Sequence, residues 1–183
     1  MSPQSDRFRR IAADFTRVVD AVPAEAWDAP APPEGWRARD VIGHLDEWFS
    51  GLFLDTWGVP RPTGPSLEDD PAGVWVALRD AIQAALDDPA VAPVEREIRP
   101  GTMSFADAVD RLGTSDVLMH QWDLARATGG DERLDPDEVH ALLVGMEPLD
   151  EVLRQSGHYG PRVAVPDDAS EQDRLIAFIG RQP

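Results

Sequence analysis

The chain has 183 residues, of which 42% are hydrophobic, and a formal net charge of -17 at pH 7. This length and composition predict one compact domain that spans residues 1–183. The negative charge disfavours binding to nucleic-acid phosphates and to anionic membrane surfaces, so neither is an expected partner.

The N-terminal segment MSPQSDRFRR is polar and lacks the apolar run of a signal peptide. No stretch of the sequence approaches the ~20 apolar residues of a membrane-spanning helix. We therefore expect a cytoplasmic protein. Between Asp6 and Val22, apolar residues recur at steps of three and four, which predicts a first amphipathic helix that Pro23 ends or bends.

A loop is predicted from Trp27 to Trp36, where prolines and a glycine cluster. The apolar stripe from Val41 to Phe53 then predicts the strongest helix of the chain. Further prolines and an acidic run indicate a long surface loop between Gly58 and Gly73. A third helix is predicted from Val74 to Leu86.

The segment from Val91 to Pro100 is ambiguous, because its VEREI sequence fits a short edge strand. Ser104, followed three residues later by Asp107, resembles a helix cap. It predicts a helical region that runs to Thr128, breaks near Gly113 and ends at the glycine pair that follows.

Asp135 is predicted to start a further helix that continues to Leu153 and closes at Gly157. An extended segment, Arg162 to Val165, then leads to a terminal helix from about Ser170 to Ile179. Four main helices, a short C-terminal one and little strand predict an all-α fold of the helix-bundle type.

Asp116 and His120 lie four residues apart in the segment DVLMHQWDLARATG, so a helix places both side chains on one face. With Asp123 they form a narrow polar stripe between apolar neighbours, which indicates burial. A buried acid and imidazole need hydrogen-bond partners or a group held between them, and a metal ion is a leading candidate.

His44 lies at the margin of the apolar stripe of the second helix, where it can face a neighbouring helix. His44, Asp116 and His120 together make a two-histidine, one-carboxylate set that suits a divalent ion with an open coordination position. Zinc is the default metal, and nickel and iron(II) accept the same ligands. The alternatives are an Asp–His pair on the helix surface and a histidine at the edge of the core.

Other polar and aromatic side chains have two interpretations each. Asp123 can orient a histidine ligand or a bound water, or pair with an arginine instead. Trp48 and Trp122 are interpreted as core residues rather than ligand-stacking groups. His140 and His158 are interpreted as surface residues rather than ligands.

Three segments carry a resemblance to a known family: GHLDEW around His44, DVLMHQWDLARATG, and the tail YGPRVAVPDDASEQDRLIAFIGR. Together they resemble the DinB-like metal-binding superfamily, and more closely the branch that contains mycothiol-dependent maleylpyruvate isomerase. The resemblance implies an up-and-down four-helix bundle around a divalent metal, with ligands at His44, Asp116 and His120. The isomerase has a glutamate where this chain has the shorter Asp116, and it carries an additional C-terminal domain, so we do not expect maleylpyruvate isomerisation itself.

The chain has no cysteine and all 17 of its bases are arginine. A protein thiolate or Schiff-base lysine is therefore excluded, and any thiol must come from a small molecule. The resemblance favours a metal-dependent S-transferase or isomerase that uses a thiol such as mycothiol on a small electrophile.

Two other functions stay open. One is a metal-dependent hydrolase in which water is the nucleophile and Asp123 serves as the base. The other is a non-catalytic metal- or small-ligand-binding module, homodimeric through an apolar helix face. Arg126 or Arg162 would suit an anionic ligand if either reaches the site.

Overall fold

A computed structural model describes residues 2–99, 101–155, 157 and 159–183 of the chain. Most of these residues are helical, as predicted, and the strands within this described part form one two-stranded sheet. Among the same residues, no helix has both the length and the apolar character needed to cross a bilayer.

The first helix, α1, spans Pro3–Asp20. Ser2 caps it by accepting a hydrogen bond from the Ser5 amide, and a proline in the first turn loses no helical hydrogen bond. The helix begins earlier than Asp6 because its polar first turn carries no apolar pattern. Its buried stripe includes Phe8, Ile11, Ala12, Phe15 and Val19.

The second helix, α2, spans Ala38–Phe49 and continues through a π-helical turn, Ser50–Leu54, into α3, Asp55–Trp57. Gly58 ends this run with a φ of 69°, a left-handed conformation that favours glycine. The predicted helix is confirmed and extends further at both ends.

Helix α4 spans Pro71–Asp87. Asp70 caps it by accepting a hydrogen bond from the Gly73 amide. The long predicted loop is present between residues 59 and 70, but its last predicted residues belong to the helix. Pro71 is the first helical residue rather than a loop residue, since proline is well suited to that position.

A short hairpin precedes the longest helical region. Strand β1, Glu95–Ile98, pairs antiparallel with β2, Gly101–Ser104. The prediction of a short strand is confirmed for β1. Strand β2 was not predicted, because the four residues GTMS are too few to show an alternating pattern.

The helical region after the hairpin consists of α5, Phe105–Ala108, a π-helical turn, Val109–Gly113, and α6, Thr114–Thr128. Ser104 accepts a hydrogen bond from the Asp107 amide, which confirms the predicted cap. The break expected near Gly113 is the π-helical turn, which inserts one residue and changes the direction of the side chains that follow.

The helix predicted from Asp135 to Leu153 is divided into α7, Pro136–Met146, and α8, Asp150–Gln155. A 3-10 turn, Glu147–Leu149, separates them. Pro148 explains the division because it has no amide hydrogen for a helical bond. The last helix, α9, spans Glu171–Phe178.

The segment from Arg162 to Val165 was expected to be extended. It is not assigned to a strand, although the Val163 amide donates a hydrogen bond to the Ala177 carbonyl.

The core lies between four helices, because α1 and α2 each pack against both α4 and α6. Helix α7 packs against α9 beside them. The contact between α2 and α6 carries the candidate site. The largest fully buried side chains include Trp75, Trp122, Phe8, Phe15, Phe49, Phe53, Phe105 and Phe178.

An ion-pair cluster joins α1 to α7. Arg7 donates to Glu138 and to Asp110, and Arg10 binds Glu138 and Asp135. Glu138 is buried. Burial alone would raise the pKa of Glu138, but the hydrogen bonds and charges of Arg7 and Arg10 outweigh it and hold that pKa below its usual value.

We expect Glu138→Gln to remove a pH-dependent stabilisation of about 2 kcal/mol. A carboxyl group whose pKa is lowered by folding stabilises the protein fully at pH values above its ordinary pKa of 4.5. This contribution is lost as the pH falls through the lowered pKa. Urea unfolding should therefore give the largest difference from wild type above about pH 5, and this difference should shrink as the pH falls below 4.5 and through the lowered pKa. Glu151→Gln, at an exposed position, is the control. A difference that does not change with pH would contradict this role.

Candidate metal centre

Two histidines and one aspartate converge where α2 faces α6. His44 lies on α2, and Asp116 and His120 lie one turn apart on α6. His44 Nε2 is 3.4 Å from Asp116 Oδ2, and His120 Nε2 is 3.6 Å from Asp116 Oδ1. One potential ligand atom from each residue lies within 4.8 Å of the other two. The structure thus brings together the three ligand candidates of the sequence.

Gly113 allows α2 and α6 to approach closely just before Asp116. A Cβ atom at Gly113 would lie 3.0 Å from Phe49 Cζ and 3.1 Å from Phe53 Cε2. Both phenylalanine side chains are fully buried, so a larger residue at position 113 would push against rings that have little room to move. This contact joins the two π-helical turns. Turns of this kind are frequent at functional sites.

The ligand set is enclosed on its α6 side and open on its α2 side. The side chains of His120, Asp116 and His44 are 8%, 18% and 33% exposed, respectively. A cavity of about 340 Å³ adjoins His44. This cavity gives a small molecule access to His44. The cavity is lined by Trp36, Asp40, Gly43, His44, Glu47 and Leu67.

Asp116 Oδ2 is a buried carboxylate oxygen without a hydrogen-bond partner among the described residues. Its contact with His44 Nε2 is close but does not have hydrogen-bond geometry. A buried oxygen of this kind costs free energy unless a donor or a cation compensates its charge. Two imidazole nitrogens and a carboxylate are ligands that divalent transition metals accept, so these residues fit a metal ion.

Asp123 contacts both a histidine and an arginine. Its Oδ2 atom lies 3.0 Å from His120 Nδ1, and its Oδ1 atom accepts a hydrogen bond of 3.0 Å from Arg181 Nε. Asp123 is fully buried. The histidine contact and the arginine contact, which the sequence left as alternatives, are therefore both present. A carboxylate that holds the second nitrogen of a histidine is the usual partner of a metal-binding histidine.

The charges around His120 oppose the effect of its burial. Burial alone would lower the pKa of His120, but the negative charge of Asp116 and the hydrogen bond with Asp123 raise it overall. Burial alone would raise the pKa of Asp123, yet its contacts with His120 and Arg181 lower it. The site therefore favours a charged Asp123 carboxylate, and it attracts positive charge at His120.

Aromatic rings flank the two histidines. The Trp36 ring is nearly parallel to the His120 ring, at an angle of 18° with centroids 5.8 Å apart. It also lies 5.1 Å from the His44 ring, and Trp48 stacks on His44 at 6.3 Å. Trp48 was interpreted as a core residue only, but it contacts the core and a candidate ligand alike. Trp122 is buried in the core, as predicted.

The other candidates from the sequence are engaged elsewhere. Arg126 pairs with Glu132, and the Arg162 guanidinium lies over the Phe178 ring. His140 is exposed and pairs with Glu171, in agreement with a surface role. His158 lies outside the described residues.

Three residues at the site were not singled out from the sequence: Trp36, Tyr159 and Arg181. Trp36 ends a proline-rich loop, and the other two lie on either side of α9. Tyr159 and Arg181 had one signal in the sequence, because both lie in the tail segment that resembles the family. Trp36 had none. Tyr159 is the single tyrosine of the chain and is partly buried. Burial and the negative charge of Asp116 raise the pKa of Tyr159 to about 12.

Comparisons with known proteins found a matching family model and similar proteins. The family model for the mycothiol maleylpyruvate isomerase N-terminal domain matches residues 8–125. Two proteins from two strains of Mycobacterium tuberculosis, both described as uncharacterized, are each 29% identical over 181 residues, which covers 91% of this chain and 91% of each relative. No solved structure matches the chain. The matched family segment contains all three candidate ligands.

Ultraviolet absorbance of the single tyrosine tests the electrostatics of the site. We expect Tyr159 to ionise near pH 12 rather than near its usual 10. Asp116→Asn should lower this pKa without restoring the usual value, because burial is the larger cause. Asp137→Asn, at an exposed position, should leave it unchanged. Circular dichroism during the titration shows whether the protein is folded, and a usual pKa in folded wild type would contradict the geometry.

Proposed function

Because the chain belongs to the mycothiol maleylpyruvate isomerase N-terminal domain family, we propose that it binds a divalent metal and uses a small thiol to act on a small electrophile. One observation above all supports the metal. His44, Asp116 and His120 converge from two helices, and within the part of the chain that the structure describes a buried oxygen of Asp116 has no hydrogen-bond partner.

In this proposal His44, Asp116 and His120 hold the ion. Zinc is the default, with nickel and iron(II) as alternatives, because all three accept imidazole and carboxylate ligands. Three protein ligands leave at least one coordination position for a small molecule. When bound, the ion would lower the pKa of a coordinated thiol, so that the nucleophilic thiolate forms near neutral pH.

The thiol comes from outside the protein, since the chain has no cysteine. The name of the family points to mycothiol as the thiol. The cavity beside His44 provides room for the electrophile, and Trp36 supplies an apolar wall next to both histidines. These features support a thiol S-transferase or isomerase that acts on a small molecule.

We further interpret residues 1–183 as one domain built on an up-and-down four-helix bundle of α1, α2, α4 and α6. The pairwise packing of these helices supports this interpretation. In helix bundles, metal sites are formed by side chains that project inward from facing helices. The position of the ligand set between α2 and α6 follows that pattern.

Zinc binding by chelator-treated protein tests the metal. We expect one zinc ion per wild-type chain and an affinity more than about 100-fold weaker for His120→Ala and His44→Ala, because loss of an outer hydrogen-bond partner alone costs about 10–100-fold. His140→Ala removes an exposed histidine and should bind like wild type. Folded wild type that binds no zinc, nickel or iron(II) would overturn the metal assignment.

Thiol transfer is tested with metal-loaded protein, mycothiol and chlorodinitrobenzene. The sulfur forms a bond to carbon, chloride leaves, and the thiol proton passes to solvent. We expect conjugation at least tenfold above the uncatalysed rate, about 1.4 kcal/mol in barrier, and loss of this excess in His120→Ala.

If no electrophile of a broader panel reacts and calorimetry detects no mycothiol binding, the thiol assignment is wrong. Hydrolysis of a nitrophenyl ester that needs the metal but no thiol would support the hydrolase alternative instead. Stoichiometric metal with neither activity would favour a binding module.

A further inference from the structure

A segment outside the matched family residues reaches Asp123, the carboxylate that contacts His120. Arg181 follows α9, whereas the family match ends at residue 125. Its guanidinium binds Asp123 of α6 through two contacts, Nε to Oδ1 at 3.0 Å and Nη2 to Oδ2 at 3.3 Å. Such a two-point contact between a guanidinium and a carboxylate fixes the carboxylate plane as well as its charge.

The same carboxylate holds His120. Asp123 Oδ2 lies 3.0 Å from His120 Nδ1, so the histidine presents its other nitrogen, Nε2, toward Asp116. Rotation of the Asp123 carboxylate would break its contacts with Arg181 and His120 together. Because Asp123 is fully buried, no solvent can replace those contacts. Arg181 and His120 are therefore joined through one buried carboxylate.

Two glycines bring Arg181 to this position. A Cβ atom on Gly180 would lie 3.0 Å from Gly160 Cα, and Gly180 has a φ of 85°. This close crossing needs glycine on steric and conformational grounds alike. Arg154 reinforces the crossing by donating to the Gly160 and Phe178 carbonyls. The arrangement places Arg181 beside α6 and leaves its side chain largely enclosed.

We propose that Arg181 is a positioning residue for the metal centre, acting through Asp123 to fix the His120 ring with Nε2 directed at the metal. This inference rests on the proposed metal-binding function. A purely structural ion pair would stabilise the fold and leave metal affinity unchanged. A positioning residue affects the affinity and the coordination geometry of the bound ion.

Zinc affinity and the visible spectrum of bound Co(II) separate these roles in the 183-residue chain. We compare wild type, Arg181→Gln, Arg181→Lys and the control Arg174→Gln, which removes an exposed arginine of α9 that pairs with Glu171. We expect Arg181→Gln to weaken zinc binding about 10–100-fold, the range for a lost outer partner, and to change the Co(II) spectrum. Arg181→Lys should lose less zinc affinity than Arg181→Gln, because lysine keeps the positive charge but cannot make the two-point contact. Arg174→Gln should match wild type.

Thermal unfolding of the metal-free proteins completes the comparison. If Arg181→Gln is destabilised but binds zinc with wild-type affinity and gives a wild-type Co(II) spectrum, the positioning role is overturned and the metal centre stands. If folded wild type binds no metal, the proposed function fails, and this inference fails with it. If Arg181→Gln does not fold, Arg181→Lys decides, since wild-type affinity and spectrum in that variant overturn the proposal.

Discussion

The close packing of α2 against α6 is the constraint on which the candidate centre depends. A side chain at position 113, just before α6, would have no room beside the rings of Phe49 and Phe53, so this position needs Gly113. This approach allows His44 Nε2 to lie 3.4 Å from Asp116 Oδ2 across the helix interface. Protein interiors are packed about as densely as organic crystals, so the aromatic contact sets the spacing between the helices. The core and the ligand set are therefore parts of one packing arrangement.

Much of the fold and of the centre could be predicted because the signals are local. Helical spacing alone places Asp116 and His120 on one face, and Ser104 caps the helical region as its sequence suggests. His44 could be proposed from its place on the apolar stripe. Its contact with Asp116 is tertiary, so before the structure that pairing rested on the general pattern of metal sites in helix bundles and on the family resemblance. The division of α7 from α8 at Pro148 was also open to local prediction, since proline interrupts a helix for a known reason.

The features that could not be predicted arise from contacts between distant segments. Trp36 comes from a loop whose composition indicates only irregular structure, yet its ring stacks on His120. The sequence around Asp123 allowed either a histidine or an arginine partner. It did not indicate that Arg181, far along the chain, would contact the same carboxylate. Such contacts depend on how the helices are arranged, and no spacing within one helix encodes that arrangement.

The proposed metal centre draws on three distant segments, so metal binding there would be linked to folding. His44, Asp116 with His120, and Arg181 meet only when α2, α6 and the chain after α9 have all reached their native positions. A ligand that binds only the native state stabilises it by RT ln(1 + [L]/Kd). A tightly bound ion would therefore stabilise the native state of the whole chain against unfolding. Partly folded molecules lack the converged set and gain nothing from the ion. Metal supply in the cell would then set how much of this protein persists in its native state, separately from any reaction that the ion assists.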